Sequence, residues 1–466
     1  MSNPAFVRYR NSLILTVILP SVLCLVADVY AQQEADPGSN HGSRNVERVS
    51  HLALEDLSET TRAIDSGGLA PGQRVGNLVI EQDEGRPFVF LTRRNHPSGV
   101  VGLDLSDPTQ PVVVFESAWP GSVDGVGATD ITYFKQNGRY YVVVGAQGTG
   151  EEYGTDSSNE VGAVVFDVTD LSDGGDAEEV ARIHVPGGLH HLFAYRHSSG
   201  AHLLFATGGG DILVYDARSI LSSGAQPIAE ISIPAEVPNI DYGFHSVFAA
   251  YHPETETDRL YTGAAGGYFV YGITDIADRT LLASINSAAV QIGHTIAPTP
   301  GGELVVTTAG YRTAPIRIYD LRPALDESIP RVRTAIGAWV ADWRNDAENL
   351  VLRWPFVFVA SSEDGFQAFN MSDPFEPYTV GYYHTWNGRV TDFASSSTEP
   401  TGAWDIDVRN VDGLIVVSDV DTGFWAFRME AFEGWDGRGW GLPNISGVQD
   451  WDEGPGNSVA WPEIEE

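Results

Sequence analysis

The chain has 466 residues and carries 63 acidic against 27 basic side chains, a formal net charge of −36, and Lys135 is its only lysine. A surface this acidic repels polyphosphates and anionic headgroups, so no nucleic-acid partner is expected. The one cysteine, Cys24, lies in the N-terminal apolar run; loss of that run leaves no disulfide, thiolate nucleophile or cysteine-ligated metal.

Arg8 and Arg10 precede an apolar run from Leu13 to Ala27, and Val29-Tyr30-Ala31 offers small residues before Gln32. Residues 1–31 therefore read as a secretory signal peptide, because the run falls short of the ~20 residues that span a bilayer. The expected location is secreted or periplasmic, with no transmembrane segment after cleavage. Residues 32–47, rich in Gly, Ser and charge, read as a disordered polar lead-in.

From residue 48 to 434 one apolar phrase recurs: "GVVGLDLSDPTQPVVV", "GAVVFDVTDL", "DILVYDARSI", "YFVYGITDIAD", "IRIYDLRPAL", "GFQAFNMSDPFEP" and "GFWAFRMEAF". The residue after the last large apolar side chain is Asp104, Asp167, Asp216, Gly272, Asp320, Asn370 and Arg428, at spacings of 48 to 63 residues. Seven units of about fifty residues, each with room for four short strands, predict an all-β fold: a seven-bladed β-propeller of four-stranded antiparallel blades. In the third unit the strands are "LHHLFAYRHSSG", "AHLLFATGGG", "DILVYDARS" and "QPIAEISIPA", alternating apolar residues bounded by turn formers. The last unit lacks a fourth strand. Residues 44–59, "RNVERVSHLALEDLSE", are the first candidate to close the ring and "GLPNISGVQD" the second. The Asp after each third strand is expected to cap the following turn. Residues 435–466, rich in Trp and acids, read as a C-terminal strap.

The third-strand phrase with its "SDP" turn resembles the LVIVD-repeat proteins, secreted bacterial β-propellers. The resemblance covers most of residues 76–430, and Gly272 and Arg428 depart from it. It implies the fold and export, and no shared catalytic residues.

First strands of propeller blades line the central channel. Their alignment places Thr129, His190, His245, His294 and Trp404 at one level, with Asp130, His191 and Asp405 one residue later. Three consecutive blades thus aim a histidine at one mouth. Imidazoles suit a divalent transition metal such as zinc, copper or iron, and His190, His245 and His294 are the candidate ligands. Equally, a histidine at a blade's start can bond loop carbonyls and tie blades together. Thr129, Asp130, His191, Trp404 and Asp405 are the candidate ligand-binding residues of the mouth, where Asp130 or Asp405 would orient an imidazole or act as a base. His184, His202, His252 and His384 are expected on outer strands or turns.

Ten of the 11 tryptophans lie at or after Trp339, which suits either gap-filling between blades or a row stacking on sugar rings. No nucleotide loop, GxSxG elbow or HExxH occurs. The favoured expectation is an exported scaffold that binds a small molecule, glycan or protein at the channel mouth. Its rivals are a metal-dependent oxidoreductase or hydrolase on the three histidines, and a carbohydrate-binding protein using the C-terminal tryptophans.

Overall fold

The recurring phrase forms strands Gly99–Asp104, Gly162–Asp167, Asp211–Asp216, Gly267–Gly272, Ile316–Asp320, Gly365–Asn370 and Gly423–Met429, each the third strand of its own sheet. The computed structural model describes residues 41–53, 74–83, 85–94, 98–119, 126–148, 161–222, 225–235, 237, 243–286, 290, 292–326, 331–342, 346–385, 402–435 and 451–452. The expected signal peptide, the lead-in up to residue 40 and most of the expected strap lie outside them.

Seven sheets follow one another along the chain, as a seven-bladed propeller requires. Second and third strands are mostly apolar because neighbouring blades cover both their faces; Phe88–Arg93 and Leu414–Asp419 are buried at every position. Fourth strands such as Glu178–His184 sit at the rim and expose most of their residues. Phenylalanines fill the wedges between blades, as where Phe366 stacks on Phe358 of its own blade and on Phe427 of the next. The fourth blade gains a fifth strand, Arg331–Val332, running parallel to Thr280–Ile285.

The ring closes through its N-terminal end. Val46–Leu52 pairs antiparallel with Gly423–Met429 and supplies the missing fourth strand of the last blade. It comes from the first candidate segment and starts two residues inside the stretch expected to be disordered. The second candidate, residues 441–450, lies outside the described residues. Turn capping follows the expected pattern: the side-chain oxygens of Asp104, Asp167, Asp216, Asp320 and Asn370 accept the N–H two residues on, at 2.7–3.0 Å. Among the described residues no helix is long and apolar enough to cross a membrane.

Candidate functional site

The channel wall is made by the first strands Val75–Ile80, Val126–Gln136, Leu192–Arg196, Phe244–His252, Gly293–Pro298, Leu350–Arg353 and Ala403–Arg409. A cavity of about 140 Å³ runs between them, lined at one level by Asn77, Asp130, His191, Ser246, Thr295, Asn349 and Asp405. The residues immediately before these are Gly76, Thr129, His190, His245, His294, Glu348 and Trp404, one from each blade. The five aligned first-strand positions fall at one channel level; the first and sixth blades, contributing Gly76 and Glu348, lie outside that alignment.

A repeated backbone irregularity aims these side chains. Pairing of first with second strands slips between Val75 and Leu78, Ala128 and Asp130, Phe244 and Ser246, Gly293 and Ile296, and Ala403 and Asp405. The skipped residues include Gly76, Thr129, His245, His294 and Trp404. A β-bulge leaves such a residue out of the ladder and re-aims its side chain. Second-strand hydroxyls satisfy the displaced backbone: Thr207 accepts from His191 N–H at 2.9 Å, Thr308 from Thr295 N–H at 3.0 Å and Ser418 from Asp405 N–H at 3.2 Å. These hydroxyl residues went unnoticed in the sequence, although "FATGG", "VTTAG" and "VVSDV" place each at the end of a second strand.

The three histidines come together. His190 Nε2 and His245 Nε2 are 2.9 Å apart, a hydrogen bond that needs one imidazole to donate and the other to accept. The His245 and His294 rings lie 3.9 Å apart, centroid to centroid, at 37°. His294 Nε2 is 3.7 Å from Glu348 Oε2, while its Nδ1 lies 3.1 Å from Thr295 Oγ1. Burial, reinforced by the neighbouring His191 and the Arg94 guanidinium, lowers the His190 pKa to about 4. Burial likewise takes His294 down to about 3 and His245 well below its usual value. Burial and the adjacent Asp346 carboxyl push Glu348 up to about 8. Burial thus disfavours the charged form of all four groups. Among the described residues, no group of three or more His, Cys, Asp or Glu surrounds one point as metal ligands would.

The other predicted mouth residues tie blades together. Asp130 accepts from Leu192 N–H and, at 2.8 Å, from Asn77 Nδ2. Asp405 accepts from Leu78 N–H at 2.9 Å, and Thr129 donates to the Leu189 carbonyl at 2.7 Å. Trp404 donates its indole N–H to Asn77 Oδ1 at 2.7 Å and carries the Arg94 guanidinium 4.0 Å above its ring. His191 Nδ1 lies 3.5 Å from Asp130 Oδ2, on the channel wall below the histidine cluster. Burial raises the pKa of both Asp130 and Asp405.

The remaining histidines sit elsewhere. His184 ends a rim strand and His202 opens the second strand of its blade. His252 ends a channel-lining strand, not an outer one, and is buried between the Tyr261 hydroxyl and the Pro300 carbonyl. His384 packs beside Tyr382 after the last strand of the sixth blade.

No described tryptophan stands exposed in a row. Trp339 stacks on Phe369 and Trp425 on His51, both buried in blade seams. At the opposite end of the channel, buried Trp451 lines the cavity and packs on Tyr133, Phe134 and His202. Asp452 beside it pairs with Lys135. Trp343, Trp386, Trp440 and Trp461 lie outside the described residues.

No family model and no curated protein matches the chain. Among solved structures it is similar to Raptor from Chaetomium thermophilum, with a TM-score of 0.51 at 10% identity over 87% of this chain. The chain spans 30% of that protein's length. It is also similar to the C-terminal WD40 domain of Sif2, with a TM-score of 0.47 at 10% identity, over 78% of this chain and 99% of that one. At such identities the likeness concerns the fold alone.

Proposed function

We propose that the chain is an exported propeller, of the LVIVD-repeat kind, that binds a ligand at the channel mouth where His190, His245, His294 and Glu348 gather. The observation that carries this reading is the contrast between the blade cores and that mouth. The blade cores are mostly apolar, whereas consecutive blades deliver polar side chains to one level, with His245 and His294 on the same kind of bulge. Uncharged buried polar groups are costly unless something engages them, and concave sites with convergent polar groups are where ligands bind. The N-terminal apolar run supports export.

The test is a thermal-shift screen of the full chain against a panel of monosaccharides, amino acids and short peptides. A compound that binds the folded state raises the melting temperature with its concentration. The reading expects at least one compound to stabilise the wild type and not a folded His190→Ala variant. Shifts that persist unchanged in that variant place binding elsewhere and overturn it.

A further inference from the structure

Of the polar clusters among the described residues, most have all their chemistry spent within the fold. Asp258 holds Tyr195 and Ser198 across a blade seam, and Arg86 fills Glu81 and two carbonyls of the next blade. The exposed aromatics Phe375 and Tyr378 on the rim of the sixth blade have nothing that identifies an occupant. Arg94 differs, because the channel mouth is shaped to admit it.

Arg94 follows the second strand of the first blade, Phe88–Arg93, whose last residue pairs with Val75 at the start of the channel strand. Its N–H donates to the Arg74 carbonyl at 2.8 Å, which fixes its backbone at the mouth end. From there its stem crosses Gly76, where a Cβ would stand 2.9 Å from Arg94 Cγ and 3.1 Å from Cδ. The first blade thus offers no side chain of its own at the mouth level and lets in a guanidinium from the neighbouring strand. That guanidinium lies 4.0 Å above the Trp404 ring. The indole beneath it is held in turn, donating to Asn77 Oδ1 at 2.7 Å, while the Trp404 carbonyl accepts from Asn349 Nδ2 at 3.0 Å. Stacking engages the face of a guanidinium, whereas its N–H edge is the part that recognises a planar acceptor. Burial dominates the pKa shifts of His190 and Glu348, but the Arg94 charge acts on both, so it is felt on both flanks of the mouth.

We infer that the mouth takes a small organic monocarboxylate, with Arg94 as the anchor of its carboxylate and the neighbouring imidazoles as hydrogen-bond partners. This inference rests on the mouth reading above and names its ligand class. The guanidinium fork matches the two oxygens of a carboxylate, and a plane already held on an indole loses less freedom on pairing. Charge sets the upper limit. The net charge of −36 opposes each further negative charge brought to the chain, so di- and tricarboxylates and phosphates are disfavoured against monoanions. The histidines add no compensating charge, because burial disfavours their protonated forms.

The experiment is a calorimetric titration of the full chain with acetate, benzoate and N-acetylglycine, each compared with its uncharged amide: acetamide, benzamide and N-acetylglycinamide. The expected result is that at least one acid binds at one equivalent and its amide binds at least ~10-fold more weakly, as loss of a charge-assisted pair requires. Succinate and citrate should bind no better than the best monoacid. Arg94→Gln should weaken acid binding at least ~10-fold. Arg218→Gln, which alters an exposed arginine paired with Asp216 beyond a third strand, should leave it unchanged. Circular dichroism checks that each variant is folded. Should Arg94→Gln fail to fold, the acid-to-amide ratio of the wild type decides on its own.

Acids and amides that bind alike, acid binding that survives in folded Arg94→Gln, or no binding by any of the acids overturns the carboxylate site. Tighter binding of citrate than of the monoacids overturns the limit to one charge. If panel compounds still stabilise the wild type and not His190→Ala when the carboxylate site fails, the mouth reading stands with a ligand of other chemistry. If none does, both fall.

Discussion

Asp405 on the last blade accepts the backbone N–H of Leu78 on the first at 2.9 Å, and two residues on Asp407 does the same for Ile80 at 3.2 Å. The ring is therefore latched on its inner wall at the same seam that Val46–Leu52 closes on its outer edge. Carboxyl groups here stand in for the strand-to-strand bonds that neighbouring blades cannot make. Replacing Asp405 by Ala leaves a buried N–H without its acceptor and is expected to cost ~1–3 kcal/mol in urea unfolding. Asp405→Asn keeps an acceptor oxygen and should cost less than half as much.

Loss of the outer latch is more severe. A chain starting at residue 45 retains Val46–Leu52 and is expected to unfold cooperatively like the full chain. One starting at residue 54 loses the pairing with Gly423–Met429 and the stack of His51 on Trp425, centroids 3.8 Å apart. It also bares an apolar strand edge, so aggregation and a lowered melting temperature should show by light scattering and calorimetry.

The mouth depends on a glycine behind it. A Cβ at Gly263 would stand 1.9 Å from the His294 carbonyl oxygen, so this position holds the fourth and fifth blades at a distance only glycine permits. Gly263→Ala is expected to destabilise the fold by ~1–3 kcal/mol and to displace His294. Histidine NMR resonances that stay at their wild-type positions in that variant would count against this.

Burial gives the cluster a signed pH response. His294 titrates at about 3 and His190 at about 4 in the folded chain, against 6.5 for a free imidazole. Between those values the unfolded chain binds protons that the folded chain refuses, so stability is lost as pH falls from about 6.5 toward 4. Glu348 has the opposite sign: its folded pKa of about 8 exceeds the usual 4.5, so its contribution is lost as pH rises from about 4.5 to 8. The stability gap between wild type and His294→Asn should widen in favour of wild type up to pH 6.5. The gap to Glu348→Gln should move against wild type up to pH 8.

A seam between the first two blades tests the same physics without the site. Arg86 donates to Glu81 and to the carbonyls of Thr169 and Val168, at 3.1 and 3.0 Å. Even so, burial holds the Glu81 pKa up at about 7. Arg86→Met alone is expected to cost ~3–5 kcal/mol, while adding Glu81→Leu should restore part of it, because the pair's loss removes both desolvation penalties.

The fold was legible in the sequence for a physical reason. Third strands are covered on both faces, so they appear as mostly apolar runs, and five of the seven end at a side chain that caps a turn. The level of His190, His245 and His294 was legible too, since a polar residue before an apolar run marks a strand's start. Glu348 was not, because its strand, Leu350–Arg353, is only four residues long and follows a polar stretch with no glycine to set its start. The roles of Asp130, Asp405 and Asn77 were also hidden. Their partners lie in other blades, 53 to 327 residues away, and no local pattern encodes them.

The mouth is a word of seven letters, Gly-Thr-His-His-His-Glu-Trp, each written by a different blade and five of them set on a bulge. Because a bulged residue belongs to no ladder, a letter can change while the blade that carries it keeps its own pairing. At Gly76 the position is not free to change, because a Cβ there would meet the Thr92 hydroxyl at 2.7 Å.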